Sequence, residues 1–383
     1  MVIGIDCSRA FAEERTGTEN YSYHVINEML QLPEAKKHFF VLFIRPKANL
    51  SLLGKRNNIL VCPIKYRYLW TQWGLAKATW QKYAVQSEMR GIEVLWVPAH
   101  TLPIVRRGVG EKLTTVVTIH GLEYMWLPEY RNRLQRWYLP LSTYYAAHKA
   151  DRLIAVSEHT KQDLINETGI DTKKISVIYE GVENKSIIQN EDLSKKTWEK
   201  YGLQRGKYVL FVGTASPRKN LVSLVRAFEK AELPAGYKLV ISGGMGWMND
   251  DLWREIGESP AIERIIVTGR VGESELEALY LGAGMYVQPS WTEGFGLPPL
   301  EAMKAGVPVV VSNGGALPEV VGNAGIVVPL DDAFVPKLAE TMKKIANQQQ
   351  LRTKLIGAGR ARIKQLTWEK AAKATLKVLL YRL

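Results

Sequence analysis

Two glutamates separated by seven residues, Glu293 and Glu301 in the run E-G-F-G-L-P-P-L-E, carry the clearest chemistry in this chain. The apolar residues 285–289 ahead of them read as a short buried strand. Residues 290–296 are then a strand-to-helix loop, the place where open α/β sheets take their ligands. Gly294 and Gly296 let the backbone approach a ligand. Pro298 and Pro299 pre-set a first helical turn whose free N–H groups attract anions such as phosphate. Glu293 lies in the loop and Glu301 about one turn into the helix, so the pair can address different parts of one elongated ligand. Carboxylates are good acceptors for sugar hydroxyls.

A second set of residues supplies positive charge. Gly213 ends the strand-like run 208–213, and the loop beyond it carries Arg218 and Lys219 before a helical stretch that begins near Asn220. Two adjacent cations at a helix start suit a diphosphate, although basic residues also flank many ordinary loops. His120 follows the run 116–119 and precedes Gly121, so it projects from a sheet's carboxyl edge. It is either a hydrogen-bonded structural residue or a ligand contact. Gly17, in R-T-G-T-E-N, is an ordinary turn or a close-approach loop. Ser157 ahead of Glu158 is sufficiently explained as a helix cap, and Gly243, Gly244 and Gly246 either admit a ligand or simply make a loop.

These blocks together resemble the retaining glycosyltransferases of family 4. The resemblance rests on the Glu-x7-Glu pair, V-G-T-A-S-P-R-K-N-L (212–221), V-T-G-R-V (267–271), V-V-T-I-H-G (116–121) and A-V-S-E-H-T-K (155–161), and it covers nearly the whole chain. It implies an α/β chain with the GT-B fold, two doubly wound Rossmann-like domains facing across a cleft. It also implies metal-independent, front-face transfer of a hexose from a nucleotide-diphosphate sugar, the departing phosphate helping to take the acceptor's proton. In that reading Glu293 faces the hydroxyls of the transferred sugar, and the backbone of Gly294, Phe295, Gly296 and Leu297 holds sugar and phosphate. Glu301 binds the ribose. Lys219 binds the pyrophosphate and stabilises the leaving group, and His120 contacts the transferred sugar near the reaction centre. Gly17 and Gly213 approach the donor, and Arg270 and Val271 receive the base. The family often has an arginine five residues before the lysine, where this chain has Thr214, so Arg218 either takes over that contact or holds the loop. The wider pattern, with G-A-L-P-E-V at 315–320, looks most like mannosyltransferases of surface polysaccharide synthesis. GDP-mannose is the expected donor, with UDP-glucose, UDP-N-acetylglucosamine or a deoxysugar donor as alternatives. The expected acceptor is a glycan or a lipid-linked molecule. No cofactor or metal is expected, and the chain has no D-x-D, H-E-x-x-H or Cys/His cluster. Glu293→Ala is expected to abolish transfer with little loss of folding.

Strands are needed to hold these loops. Apolar runs recur at 2–6, 39–44, 59–64, 94–98, 115–119 and 153–156, then at 208–213, 238–242, 265–268, 285–289, 309–311 and 326–329. With helical stretches between them, they read as two largely parallel, doubly wound sheets. Residues 1–183 form an expected acceptor-binding domain, 184–205 a polar linker with a short helix, and 206–366 a nucleotide-sugar-binding domain. The resemblance implies that the helical segment 367–383 crosses back onto the first domain. An interdomain cleft is the obvious ligand site.

The net charge of +13 is spread along the chain: 24 basic and 18 acidic residues up to Glu183, 27 and 20 beyond it. Residues 35–87 contain no acid. Lys36, Lys37, Arg45, Lys47, Lys55, Arg56, Lys65, Arg67, Lys77 and Lys82 accumulate there, interleaved with Tyr66, Tyr68, Trp70, Trp73 and Trp80. This is either a surface for an anionic membrane or a solvated basic face with its aromatics in the core. The start, M-V-I-G-I-D, is not expected to act as a signal peptide, and no apolar run approaches the ~20 residues of a bilayer span. The expectation is a cytoplasmic protein, soluble or peripheral on the inner membrane face. Two cysteines without a framework suit a reducing cytosol. Nucleic acid is not expected as a partner, because RNA-binding aromatic blocks, zinc fingers and a confined basic tail are all missing from the sequence. A GT-B epimerase or phosphorylase is the nearest competing enzyme. A catalytically inactive nucleotide-sugar-binding scaffold is the competitor from another class, and the intact Glu293, Glu301 and Lys219 argue against it.

Overall fold

The computed structural model describes residues 1–12, 17–50, 53, 56–85, 87–106, 113–122, 133–183, 191–246 and 249–381, with backbone alone at 133–136. Two compact units emerge, Met1–Glu180 with Trp368–Leu383, and Gly181–Thr367.

In the first unit the strands are β1 (Val2–Asp6), β2 (Phe39–Ile44), β3 (Ile59–Pro63), β4 (Lys82–Val85), β5 (Glu88–Gly91), β6 (Val94–Val97), β7 (Thr114–Ile119), β8 (Arg152–Ala155) and β9 (Ile175–Val177). Seven of them form one parallel sheet in the order β3-β2-β1-β6-β7-β8-β9. V-I-G-I-D is buried along its whole length, as a parallel strand covered on both faces must be. The Gly17–Gln31 helix buries Tyr21, Val25, Ile26 and Met29, a stripe at helical spacing. The Trp368–Leu380 helix packs against it, with the Trp368 indole stacked on His24 at 5.1 Å. Arg152 donates to the Val378 carbonyl (2.6 Å), completing the C-terminal turn of that helix.

In the second unit β10 (Tyr208–Val212), β11 (Lys238–Ser242), β12 (Ile265–Gly269), β13 (Met285–Gln288), β14 (Val309–Ser312) and β15 (Gly325–Val328) form a parallel sheet, ordered β12-β11-β10-β13-β14-β15. Strand order reverses between β10 and β13, so the loops leaving these two strands diverge at a topological switch point. The Leu221–Lys230 helix lays Leu221, Leu224, Val225 and Phe228 onto the sheet, against Phe334, Leu338 and Met342 of the Phe334–Asn347 helix.

Three differences from the sequence reading have physical reasons. Residues 184–190 of the expected linker lie outside the described residues, and its remainder belongs to the second unit. There the short helix expected in this stretch is Glu191–Lys200, which faces inward with Ser194 and Thr197, and Trp198 donates to the Ala278 carbonyl (2.9 Å). The β4–β5 hairpin and β9 are additional strands. β4 alternates exposed Lys82 and Ala84 with buried Tyr83 and Val85, and β9 is only three residues long. In the basic segment, Trp70 is a core residue at 4% exposure. Tyr66, Tyr68, Trp73 and Trp80 are exposed by 44, 75, 63 and 52%, which removes the option of a wholly buried aromatic set. Lys55 lies outside the described residues. No described helix is long and apolar enough to cross a membrane.

Candidate active site

The site grows from the two loops at the switch point of the second unit. After β10 the chain makes one 3-10 turn, Pro217–Lys219, and then breaks at Asn220, which sits at φ 54° and ψ 39°. Asparagine tolerates this left-handed conformation better than most residues. Its buried side-chain amide donates to the Pro289 carbonyl (3.1 Å), and Trp291 N–H donates to the Arg218 carbonyl (2.9 Å). The loops after β10 and β13 are thereby tied together through their backbones.

Glu293 joins their side chains. Its Oε1 accepts from Lys219 Nζ at 2.6 Å, Gln288 Nε2 at 2.7 Å and Ser290 Oγ at 2.5 Å, while Oε2 accepts from Arg218 Nη1 at 2.7 Å. Arg218 also donates to the Thr292 carbonyl (2.5 Å). Burial alone pushes the Glu293 carboxyl up. The Arg218 and Lys219 charges, with hydrogen bonds from Lys219 and Ser290, outweigh it and hold the group well below the usual carboxylate range. Glu293 is buried, with 7% side-chain exposure, and Arg218 and Lys219 are largely covered, at 12% and 13%. This corrects the expectation that Glu293→Ala spares folding, because removal would strand two cations in a dry site.

The rest of the motif follows the chain. Gly296, at φ 113°, starts the Leu297–Lys304 helix with Pro298 and Pro299 in its first turn. Phe295 is buried, at 4% exposure. Glu301 is partly exposed and accepts from the Tyr280 hydroxyl (2.8 Å); burial pushes its carboxyl up, against the pull of Tyr280 and Lys304. From the β14 side, Gly315 (φ 61°) passes so close to Glu293 that any Cβ would meet its backbone, and Ala316 N–H donates to the Glu293 carbonyl (2.9 Å). Thus Glu293 and Glu301 sit in opposite electrostatic environments at the two ends of one loop and helix start.

The structure brings Glu293, Arg218 and Lys219 into direct contact and places Gly213 and residues 294–297 on the same sheet edge. Arg270 and Val271 leave the same edge at β12, two strands from β10. Arg218 holds the loop of Thr292 and Glu293. Gly243 and Gly246 pack tightly on the backbones of Gly213 and Ala215, and Ala215 N–H donates to the Gly244 carbonyl. Ser157 caps the Glu158–Thr168 helix by accepting from Thr160 N–H (2.9 Å). Gly17 and His120 belong to the first unit, and Gly17 is the exposed first residue of its helix. His120 Nδ1 lies 3.1 Å from Glu180 Oε1 and its Nε2 lies 3.0 Å from the Pro98 carbonyl, with the Tyr21 ring edge-on at 4.6 Å. His100 Nε2 accepts from the His120 backbone N–H (3.3 Å); burial, aided by His120 and Arg9, pushes the His100 imidazole down to about 3, so it stays neutral. Asn220, Tyr280, Gln288, Ser290 and Glu180 are site residues that sequence reasoning missed. The one readable signal among them was an asparagine closing P-R-K-N.

The two Rossmann-like domains with parallel sheets are those of the GT-B fold, a scaffold of glycosyltransferases. Residues 194–362 match the family model described as Glycosyl transferases group 1, and residues 16–185 match Glycosyltransferase Family 4. The O-antigen chain mannosyltransferase B of Escherichia coli is 32% identical over 263 residues, 68% of each chain. The O-antigen chain mannosyltransferase RfbU of Salmonella typhimurium is 28% identical over 233 residues, 61% of this chain and 60% of that protein. The crystal structure of Anabaena Alr3699/HepE with UDP and glucose superposes with a TM-score of 0.70 over 99% of both chains, at 17% identity, a likeness of fold. The chain belongs to glycosyltransferase family 4 and is a hexosyltransferase.

Proposed function

We propose that this chain transfers mannose from GDP-mannose to a glycan or lipid-linked acceptor of surface polysaccharide synthesis, with retention and without a metal. The observation that carries the reading is the cluster of Lys219 and Arg218 on Glu293 at the switch point. Glu293 is the anion that holds both cations in place. When the donor binds, its diphosphate competes for Lys219, which becomes the cation beside the departing phosphate as the anomeric C–O bond breaks. The acceptor oxygen forms the new bond on the same face, and its proton goes to the phosphate oxygen that leaves. Glu301, less acidic and bonded to Tyr280, is suited to ribose hydroxyls. A contact between His120 and the sugar requires a ring nitrogen to exchange Glu180 or the Pro98 carbonyl for a sugar hydroxyl. The mannose assignment draws on the names of the two O-antigen relatives.

The test is transfer from a panel of GDP-mannose, UDP-glucose and UDP-N-acetylglucosamine, with and without EDTA. Turnover of GDP-mannose alone, undiminished by EDTA, is expected. UDP-sugar turnover would replace the donor, and loss in EDTA would overturn metal independence.

The peripheral-membrane part of the proposal rests on a face of the first unit. Exposed Tyr68, Trp73 and Trp80 stand among exposed Lys65, Arg67, Lys77 and Lys82. Gln72 accepts from Ile104 N–H (2.9 Å), and Tyr145 of the Arg133–Lys149 helix donates to the Ile104 carbonyl (3.2 Å), so this segment runs on to exposed Trp137, Leu141 and Tyr144. Aromatic rings with cations suit an anionic bilayer surface.

A further inference from the structure

Gln288 ends β13 at 1% exposure, directly beneath Glu293. A buried primary amide has an acceptor end and a donor end, and its orientation decides what its neighbours feel. Here the neighbours fix it. Tyr286, two residues back on the same face of the strand and fully buried, donates its hydroxyl to Gln288 Oε1. Nε2 is therefore directed at Ser290 Oγ (2.8 Å) and Glu293 Oε1 (2.7 Å). Ser290 passes its own hydroxyl proton on to the same Oε1. Were the amide turned over, its oxygen would face the carboxylate, two acceptors in contact, and Tyr286 would be left with the Val212 carbonyl at 3.4 Å.

The two oxygens of Glu293 are consequently unequal. Oε1 is saturated by Lys219, Gln288 and Ser290, whereas Oε2 meets Arg218 and keeps acceptor capacity. We propose that Gln288, oriented by the Tyr286 hydroxyl, is a positioning residue. With Ser290 it occupies Oε1, fixes the carboxylate plane and reserves Oε2 for a hydroxyl of the transferred sugar. This rests on the reading of Glu293 as the sugar-facing group.

Gln288→Leu removes the amide at similar volume, and Tyr286→Phe removes one hydroxyl. Each is assayed for kcat and KM of sugar transfer, for nucleoside-diphosphate affinity by calorimetry, and for the Glu293 side-chain orientation by crystallography. Gln288→Leu should lower kcat about 10- to 100-fold, as a misdirected catalytic group does, with nucleotide affinity within about threefold; Tyr286→Phe should lower it less. The Glu293 carboxylate should be rotated in both structures. Wild-type kcat in Gln288→Leu would overturn the proposal, as would a kcat loss matched by equal loss of nucleotide affinity. If Gln288→Leu does not fold, Tyr286→Phe decides by the same readouts. If the wild-type protein transfers from no nucleotide sugar, the enzymatic reading of Glu293 fails, and the carboxylate orientation alone decides for or against positioning.

Discussion

Glu293 collects four donors because the carboxylate is buried with two cations, and a buried charge is tolerated only when its partners and hydrogen bonds are complete. Glu293→Ala should therefore destabilise the protein by about 3–5 kcal/mol, measured by chemical denaturation, besides abolishing transfer. The pH dependence follows from the lowered carboxyl. Its stabilising contribution is complete above 4.5, the ordinary glutamate value, and is lost as pH falls from there through the folded-state value. The melting-temperature gap between wild type and Glu293→Gln should be constant near neutrality and narrow steadily in acid; a gap independent of pH would refute the ion-pair account. At this scale, spacing made Glu293, Glu301 and Lys219 legible, because two carboxylates around a glycine turn and two cations at a helix start are local patterns. Gln288 and Ser290 were not legible, and Asn220 was legible only as the end of P-R-K-N, not in its role. Their roles depend on neighbours such as Glu293 or Pro289, and for Asn220 that neighbour is 69 residues away.

At the level of elements, the twelve main apolar runs were readable because parallel strands buried on both faces give unbroken hydrophobic stretches. The polar hairpin of β4 and β5 and the three-residue β9 gave no such signal. The short helix expected in the polar stretch is Glu191–Lys200, but its place in the second unit was not readable because its buried positions are Ser194 and Thr197. The Trp368–Leu380 helix owes its place to Trp368, 4% exposed and stacked on His24. Trp368→Ala should cost the first unit about 3–5 kcal/mol, visible as lost hydrogen-exchange protection in Gly17–Gln31, with nucleoside-diphosphate affinity unchanged. Equal protection in wild type and variant would show that the returning helix adds nothing to that unit.

Across the whole molecule, the net charge of +13 is shared by both halves, yet most of the exposed aromatics belong to the first unit, Tyr66, Tyr68, Trp73 and Trp80 among them in its acid-free basic segment. Replacing Lys65, Arg67, Lys77 and Lys82 together by Gln should weaken binding to phosphatidylglycerol vesicles, each cation contributing about 1 kcal/mol, while donor hydrolysis stays intact. The wild-type interaction should also weaken with added salt, and vesicle binding equal in wild type and variant would rule the surface out. The central claim is that Lys219, held by Glu293, receives the diphosphate of a nucleotide sugar. Calorimetric titration of GDP and UDP into wild type and Lys219→Ala, in EDTA, tests it most directly. The account predicts that GDP binds the wild type and that Lys219→Ala binds it at least about tenfold more weakly, as loss of a charged hydrogen bond requires. Equal binding by both proteins, or binding by neither, would contradict it.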